Sequence, residues 1–462
     1  MKSSISDVVN QGLCIGCGGC AANSISNNKI SMKLNEYGIF QPHISLPLTK
    51  DELEKTVAVC PFNPEPETKV LNENVIASQF LDNTKRINEY LGNYTELFAG
   101  HSLEHRKSAS SGGIATWLLS ELLNRGIVDG VICVRAGQEQ KFEYCFIEDV
   151  NGLVNSSKTR YYPITLKDML DLVDSKGGRY AFTGLPCFIK SIRLRQSYDE
   201  SFNKKVVFTV GIFCGGYKNK SFTDYLISKC GGDSDAASLV NYRHKAEEGQ
   251  ASNYSFSFLD TEKSKQKSIE MRKVGDMWGT GLFKPLACDY CDDLCSELAD
   301  ISLGDAWIPP YNDSPEGTNI IITRSDLAQE LIEKGISQGE LSLDIISEAQ
   351  ACLSQKGNIT HRRKGLSHRL AVHQGERVIM KRIGKKRSFN IFFCLVQAQR
   401  SKVRMLSHKI WRMHQNHIGF DQDMSLDLKK LRLLTRLNHL TRLDSILEML
   451  GRLKRKIIRK IN

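Results

Sequence analysis

Residues 14–26 read CIGCGGCAANSIS, and their cysteine spacing is the most specific pattern in the chain. Cys14, Cys17 and Cys20 are separated by two residues each, which is the spacing of thiolates that bind a 4Fe–4S cluster. The complete bacterial motif adds a fourth cysteine after three more residues, followed by proline. Ser24 occupies that position here. A fourth ligand must therefore come from elsewhere in the chain.

Cys60, directly before Pro61, has the form of the missing ligand. In two-cluster ferredoxins, the fourth cysteine of each motif ligates the cluster of the other motif. If Cys60 ends a second motif, its three companions fall on Lys50, Leu53 and Thr56, so that second cluster has lost its ligands. The sequence predicts one 4Fe–4S cluster, with a four-thiolate zinc site as the alternative. Its predicted ligands are Cys14, Cys17, Cys20 and Cys60.

A second cysteine group lies in CDYCDDLC, which contains Cys288, Cys291 and Cys295. Three thiolates are one short of a 4Fe–4S site. Two candidates for the fourth are Cys187 in GLPC and Cys214 in GIFC, and each follows a strand-like run. Loops at the carboxyl ends of strands commonly gather ligands in α/β sheets. A zinc site is again the alternative.

The composition indicates a folded protein without a spanning segment. The chain has 462 residues, of which 41% are hydrophobic and 25% charged. No apolar run approaches the roughly 20 residues that span a bilayer, and the first residues lack a signal-peptide core. We therefore expect a cytoplasmic protein, with peripheral attachment to the inner membrane face as an alternative. Disulfides are rare in that compartment, so 14 cysteines favour metal sites.

Four segments are predicted from composition and motifs: residues 1–70, 95–175, 176–345 and 375–462. The second contains SASSGG, then apolar residues at helical spacing, then the strand-like VDGVICVRA. The third contains strand-like runs and the second cysteine group. The predicted fold class is α/β (α+β), with a small ferredoxin-like N-terminal domain, a mixed α/β domain and a basic helical extension.

The extension carries the positive charge of the chain. Residues 376–462 contain 22 Lys/Arg and 6 Asp/Glu, a net charge of +16, whereas the whole chain has +11. Leucines at three- and four-residue steps in residues 425–460 predict amphipathic basic helices. We expect them to pack on the main body or dock on a partner, with an anionic membrane surface as the second choice. No nucleic acid is expected, because no recognition motif accompanies the charge.

The serine–glycine segment has two interpretations. Ser110, Ser111, Gly112 and Gly113 lead directly into a predicted helix. Their backbone N–H groups and hydroxyls are suited to hold a phosphate at the helix N-terminus. Alternatively, a serine caps the helix and the glycines only allow the chain to turn into it. The residues alone favour neither the phosphate site nor the serine cap.

Five motifs together resemble a known family. In chain order they are a segment ending in CP at Cys60-Pro61, SSGG at 110–113, GLPC at 184–187, FCGG at 213–216 and ADISLGDAW at 299–307. With them, residues 1–345 resemble the family of beta subunits of coenzyme F420 hydrogenases and dehydrogenases. Many members keep both ferredoxin clusters, whereas this chain keeps one ligand set. The basic extension lies outside the family pattern.

The resemblance implies an iron–sulfur flavoprotein, usually with FAD, that relays electrons between a reduced carrier and 4Fe–4S clusters. It places the flavin near Ser110 to Gly113. It also implies that a GLPC-type cysteine joins the second group, which makes two clusters in all. The implied ligands are Cys187, Cys288, Cys291 and Cys295, with Cys214 in reserve. Asp305 is a candidate for a flavin hydroxyl, although most aspartates at strand ends cap turns.

The predicted function is therefore that of an oxidoreductase that serves a redox partner protein or a carrier of deazaflavin, flavin or ferredoxin type. Similar chains also occur among bacterial genes for surface polysaccharides, so such a pathway is one setting we consider. We expect no side-chain catalytic residue, because the cofactors supply the redox chemistry. The alternative is a non-catalytic zinc-binding interaction module with a docking tail.

Overall fold

The computed structural model describes residues 4–63, 72–81, 83–137, 140–154, 156–372 and 382–440. Its strands, in chain order, are β1 (Ile30–Leu34), β2 (Phe40–Ile44), β3 (Arg86–Asn88), β4 (Gly92–Tyr94), β5 (Glu96–Ser102), β6 (Gly130–Ala136), β7 (Phe142–Ile147), β8 (Tyr180–Gly184), β9 (Val206–Ile212), β10 (Ala237–Lys245), β11 (Tyr254–Asp260), β12 (Lys265–Glu270), β13 (Ile301–Asp305), β14 (Asn319–Thr323) and β15 (Leu341–Ile345).

The helices of the described residues are α1 (Ile5–Asn10), α2 (Asn23–Ser26), α3 (Lys50–Ala58), α4 (Glu73–Phe80), α5 (Ile114–Asn124), α6 (Val150–Val154), α7 (Lys167–Ser175), α8 (Pro186–Gln196), α9 (Glu200–Lys205), α10 (Lys220–Lys229), α11 (Met271–Val274), α12 (Asp326–Ser337), α13 (Glu348–Ser354), α14 (Lys356–Thr360), α15 (Leu366–Val372), α16 (Ile391–His414) and α17 (His417–Leu440). Two 3-10 turns (Gly19–Ala21 and Leu286–Tyr290) and one π-helical turn (His361–Gly365) complete the helical elements.

The N-terminal region places the first cysteine group between a short hairpin and a helix. Strands β1 and β2 pair antiparallel, with Ile30 opposite Ile44. Helix α3 begins with a capping box, in which Thr49 and Glu52 satisfy each other's backbone N–H groups. The helix ends at Ala58, which brings the chain to Cys60. The capped helix thus places Cys60, the fourth cysteine of the predicted set, directly after its last turn.

An eight-stranded mixed sheet forms the centre of the molecule, in the order β15-β5-β14-β13-β9-β8-β6-β7. The middle strands β6, β8, β9 and β13 are parallel to one another, and the outer ones pair antiparallel. The middle strands are rich in buried valine, isoleucine and phenylalanine, as expected for strands covered on both faces. Helix α5 and strand β6 confirm the helix and strand predicted after SASSGG.

The predicted α/β (α+β) class is confirmed by this sheet, its flanking helices and the smaller antiparallel sheets. A separate sheet of β10, β11 and β12 packs beside the central one. The four proposed domain boundaries stay predictions, and residues 64–70 and 375–381 lie outside the described part. Within the described residues, no helix has both the length and the apolar character that crossing a membrane requires.

The basic extension forms helices, as predicted, up to the last described residue. Helices α16 and α17 make an antiparallel pair that packs on the main body through aromatic rings. Phe420 of α17 lies 5.1 Å from Phe283 and 5.0 Å from Tyr225, measured between ring centroids. Asp421 forms an ion pair of 2.5 Å with Lys229. The remainder of the predicted amphipathic stretch, from 441 onward, lies outside the described residues.

Replacing Phe420 by alanine should separate this helix pair from the main body. The side chain is 0% exposed, so its loss removes apolar burial and leaves a cavity. We expect the free energy of unfolding to fall by about 3–5 kcal/mol in denaturant titrations. Leu426→Ala on the same helix is the control, because Leu426 is 77% exposed. Equal effects of the two substitutions would contradict this packing.

Candidate functional site

The four cysteines of the first group lie around one small cavity of about 20 Å³. The lining includes Cys14, Cys17, Cys20 and Cys60, together with apolar side chains of the N-terminal region. Gly18 allows the tight path between them, because it has a positive φ of 85°. A Cβ added at Gly18 would also lie 2.2 Å from the Thr165 side chain. The structure therefore brings together all four residues predicted for the first site.

Burial and mutual repulsion dominate the electrostatics of this group. Burial raises the pKa of Cys20 well above its ordinary value, and the thiols of Cys17, Cys14 and Cys60 raise it further. Burial also raises the pKa of Cys17, but hydrogen bonds from the Gly19 backbone and other donors oppose this effect. Backbone N–H groups aimed at sulfur stabilise thiolates. These donors would therefore stabilise the cysteine thiolates once a bound cation balances their negative charge.

The second group joins cysteines from three separate elements. Cys187 lies in the first turn of α8, Cys214 follows β9, and Cys288 and Cys291 lie in and directly after a 3-10 turn. Burial raises the pKa of Cys187, and the thiols of Cys291, Cys214 and Cys288 raise it further. The backbone N–H of Tyr217 donates a hydrogen bond of 3.4 Å to the Cys288 sulfur. Four thiols therefore converge at the carboxyl ends of β8 and β9.

Cys295 lies apart from this group. It packs in a different apolar cluster with Leu91 and Leu294. Its sulfur faces the Tyr90 carbonyl at 3.9 Å, and its main electrostatic neighbours are Arg324, Asp293, Glu297 and Cys352. The chain turns after Cys291 and buries Leu294 and Cys295 beneath the central sheet. Cys214, the reserve candidate, lies with Cys187 and the two cysteines in and directly after the 3-10 turn instead, and the ligand role of Cys295 stays a prediction.

The two cysteine groups are neighbours. The thiol of Cys17 lies within electrostatic range of Cys187 and contributes to its raised pKa. Burial raises the pKa of Tyr144, and the thiols of Cys187, Cys133 and Cys17 add to the effect. Tyr144 also lines a second, larger cavity. The cavity, the second group and the first group therefore adjoin one another.

This large cavity has a volume of about 440 Å³ and lies at the carboxyl ends of the parallel strands. Its aromatic lining residues are Tyr144, Tyr161, Tyr162, Tyr217, Tyr254, Phe213, Trp278 and Trp307. Its charged lining residues are Lys158, Arg160, Lys218, Arg243 and Asp305. Burial lowers the pKa of Lys218 to about 7, and its ammonium donates to two backbone carbonyls. Cations exceed anions, so the cavity favours an aromatic ligand with negative charge.

The serine–glycine segment forms one wall of the cavity. Ser110, Ser111 and Gly113 line it, whereas Gly112 packs behind them, where an added Cβ would lie 2.6 Å from the Gly100 carbonyl oxygen. Gly113 is the N-cap of α5 and provides no side-chain hydrogen bond. The Ser110 hydroxyl accepts a hydrogen bond from the Thr159 backbone instead. A serine therefore does not cap this helix; instead, the backbone N–H of Ile114 in its first turn donates to the Asn319 side-chain oxygen at 3.3 Å.

Asp305 lines the cavity, but its carboxylate is already paired with an arginine. Arg243 donates to both carboxylate oxygens, at 3.0 and 2.8 Å. Arg243 is buried and also lies over the rings of Tyr254 and Trp307. Among the described residues, its Nε has no hydrogen-bond partner. Arg243 was not predicted from the sequence, since a lone arginine in the strand YRHK carries no motif.

Neither cysteine group is arranged as a single-ion site. In the described part of the chain, no three His, Cys, Asp or Glu side chains are close enough to share one metal ion. The first group instead surrounds a space. A 4Fe–4S cube binds one thiolate at each iron, so its ligands stand farther apart than those of a tetrahedral zinc.

Two family models match the chain consecutively. The N-terminal domain of the coenzyme F420 hydrogenase/dehydrogenase beta subunit matches residues 97–171, and its C-terminal domain matches residues 177–349. Together they cover more than half of the chain. Residues from 350 onward lie beyond both models.

Individual relatives agree with this match. Coenzyme F420 hydrogenase subunit beta of Methanothermobacter thermautotrophicus is 24% identical over 283 residues, which are 59% of this chain and 92% of the relative. Its counterpart of the same name in Methanosarcina barkeri is 25% identical over 272 residues, which are 56% of this chain and 85% of the relative.

A solved structure has a similar fold. A chain of the F420-reducing NiFe hydrogenase complex from Methanosarcina barkeri aligns with a TM-score of 0.50 and 20% identity, covering 64% of this chain and 99% of that chain. This likeness concerns the fold alone. The family models and the relatives show more: this chain belongs to the family of coenzyme F420 hydrogenase/dehydrogenase beta subunits, an oxidoreductase family of electron-transfer subunits.

Proposed function

We propose that this chain binds a flavin in the large cavity and two 4Fe–4S clusters beside it, and so relays electrons between a reduced carrier and a redox partner. One observation carries the proposal: the cavity and the two four-cysteine groups adjoin one another. Electron transfer requires such closely spaced centres. The proposed carrier is of deazaflavin, flavin or ferredoxin type.

Each proposed cluster has a complete thiolate set. The first comprises Cys14, Cys17, Cys20 and Cys60, as the motif spacing predicts. The second comprises Cys187, Cys214, Cys288 and Cys291, because these thiols interact and Cys295 lies elsewhere. A cluster of this kind takes one thiolate at each of its four irons, which matches the four cysteines proposed for each site. The surrounding apolar side chains would exclude water from both centres.

The cavity fits FAD by its chemistry. The α5 N-terminus and the Ser110–Gly113 segment suit a phosphate. Arg243 has a buried Nε without a described partner, and Arg160 adds a second cation for a pyrophosphate. The aromatic wall suits an isoalloxazine ring. A bound flavin would accept electrons in pairs and pass them singly to a cluster. Asp305 would act by orienting Arg243, rather than by binding a flavin hydroxyl itself.

The competing function is a zinc-binding interaction module without redox chemistry. Anaerobic purification followed by iron, zinc, sulfide and flavin analysis separates the two. The redox proposal expects about eight iron atoms per chain and bound flavin. Zinc without flavin would support the interaction module instead.

The proposal also covers the binding partners of the C-terminal extension and the pathway in which the protein acts. Packing of α16 and α17 on the main body supports the first role considered for the extension. Docking to a partner protein, or to an anionic membrane surface, is proposed for the outer face of this helix pair. Leu426 and Leu433 are exposed there beside Lys429 and Lys430. A role in a surface-polysaccharide pathway stays a prediction, which turnover assays with nucleotide sugars would test.

Replacing Cys60 by serine should remove the first cluster alone. Cys60 provides the corner that the local motif lacks, so we expect roughly half of the iron to be lost. Iron and sulfide analysis after anaerobic purification provides the measurement. Cys230→Ser is the control, because Cys230 neighbours Lys267 and belongs to neither group. Unchanged iron content in Cys60→Ser would disprove the assignment.

Cys214 and Cys295 offer a matched pair for the second cluster. Cys214→Ser should lose the second cluster, again roughly half of the iron, because its thiol belongs to the second group. Cys295→Ser should retain both clusters, since its sulfur lies in another apolar cluster. Electron paramagnetic resonance of the reduced proteins distinguishes which cluster is absent. The reverse outcome would restore Cys295 as the ligand.

Replacing Arg243 by glutamine should weaken flavin binding. A charge-assisted hydrogen bond to a phosphate contributes about 1.5–3 kcal/mol, so the dissociation constant for FAD should rise roughly tenfold to a hundredfold. Fluorescence titration of flavin-free protein with FAD measures this constant. Arg272→Gln is the control, because Arg272 pairs with Glu270 at the surface. An equal constant in both variants would exclude Arg243 from the flavin site.

A further inference from the structure

Arginines of the C-terminal extension surround the loop of the second cysteine group. We call residues 286–297 the cysteine loop; it contains four buried acids, namely Asp289, Asp292, Asp293 and Glu297. Arg404 donates to the Asp289 carboxylate at 2.8 Å. Arg382 donates to Asp292 at 2.7 Å and to both oxygens of Glu297, at 2.6 and 2.8 Å. These arginines follow residue 349, where the match to the family model ends.

Arg362 differs from the other arginines because it meets the backbone of two cysteines. Its Nη2 donates to the Cys214 carbonyl oxygen at 2.5 Å, and its Nη1 reaches the Cys291 carbonyl oxygen at 3.4 Å. The side chain is 2% exposed. The thiols of Cys291, Cys214 and Cys288 all lie within electrostatic range of its guanidinium. A buried cation therefore stands directly beside the second thiol group.

The path of the chain at Arg362 is specialised. Arg362 lies in the π-helical turn His361–Gly365, a rare conformation that occurs frequently at functional sites. Gly365 leaves room for the next buried arginine, because an added Cβ would lie 2.9 Å from Nη1 of Arg369. Arg369 in turn donates to the Asp289 backbone carbonyl at 2.9 Å. The turn thus directs two guanidinium groups into the cysteine loop.

We propose that Arg362 is a positioning residue for the second cluster, which joins the segments that carry Cys214 and Cys291 and raises the reduction potential of the cluster. This inference rests on the proposed function. Reduction adds one negative charge to a cluster, and its potential depends on nearby charge, hydrogen bonds and exposure. A guanidinium keeps its charge when buried, and a low local dielectric strengthens its field. Arg362 therefore favours the reduced state.

The test compares Arg362→Gln with Arg362→Lys by redox titration of the second cluster, followed by electron paramagnetic resonance. The signal of that cluster is identified by its absence in Cys288→Ser. Glutamine removes the charge, so we expect the equilibrium constant for reduction to fall at least tenfold, a decrease of ~59 mV or more for one electron. Lysine keeps the charge and should restore most of the potential.

Arg432→Gln is the control for charge loss in the extension, because Arg432 lies on the exposed face of α17. It should leave the potential unchanged. If Arg362→Gln loses only the second cluster while Arg362→Lys retains it, this outcome also supports the positioning role. An unchanged reduction potential in Arg362→Gln with full iron content would overturn the inference. So would an equal decrease of the potential, or an equal loss of the second cluster, in the glutamine and lysine variants. Absence of iron from the unaltered protein would instead overturn the proposed function.

Discussion

The burial of two adjoining thiol groups is the constraint on which the rest of the structure depends. Burial raises the pKa of Cys14 to about 12 and that of Cys291 to about 12, so these thiols stay protonated without a compensating cation. Binding of the proposed clusters would therefore release protons, and the free energy of binding would add to the stability of the fold.

Charge compensation explains part of the basic character of the extension. The chain carries +16 from residue 376 onward and +11 in total, which leaves about −5 for the preceding residues. Part of that negative charge is buried in the cysteine loop, where Asp292 and Glu297 meet Arg382. The extension thus neutralises an interior that the main body leaves acidic. Its amphipathic pattern alone indicated packing, but not which surface it would meet.

The sequence indicated which cysteines lie together better for the first group than for the second, and the reason is physical. Cys14, Cys17 and Cys20 are local in the chain, so their spacing restricts their geometry, and Cys60 is recognisable by the following proline. The second group depends on which strand ends meet, and this is decided by the order of β8, β9 and β13 in the sheet. Spacing therefore favoured Cys295 in a C-x3-C pattern, whereas a sharp turn buries it elsewhere. Neither Arg243 nor Arg362 lies in a sequence motif that would have predicted its place beside the cavity or the second thiol group.

The extension and the cysteine loop require each other. Asp289, Asp292 and Glu297 lie within the region that matches the family, and each pairs with an arginine beyond it: Arg404, Arg382 and Arg363. Asp289 also lies near a cation inside that region, Lys284 at 3.6 Å. An isolated buried carboxylate is costly, and removal of one partner of a buried ion pair typically destabilises a protein by about 3–5 kcal/mol. A chain without these arginines would leave the buried Asp292 and Glu297 without their closest cations, so those acids would be costly to retain. The acidic cysteine loop and the basic extension are thus one electrostatic unit, built around the second thiol group.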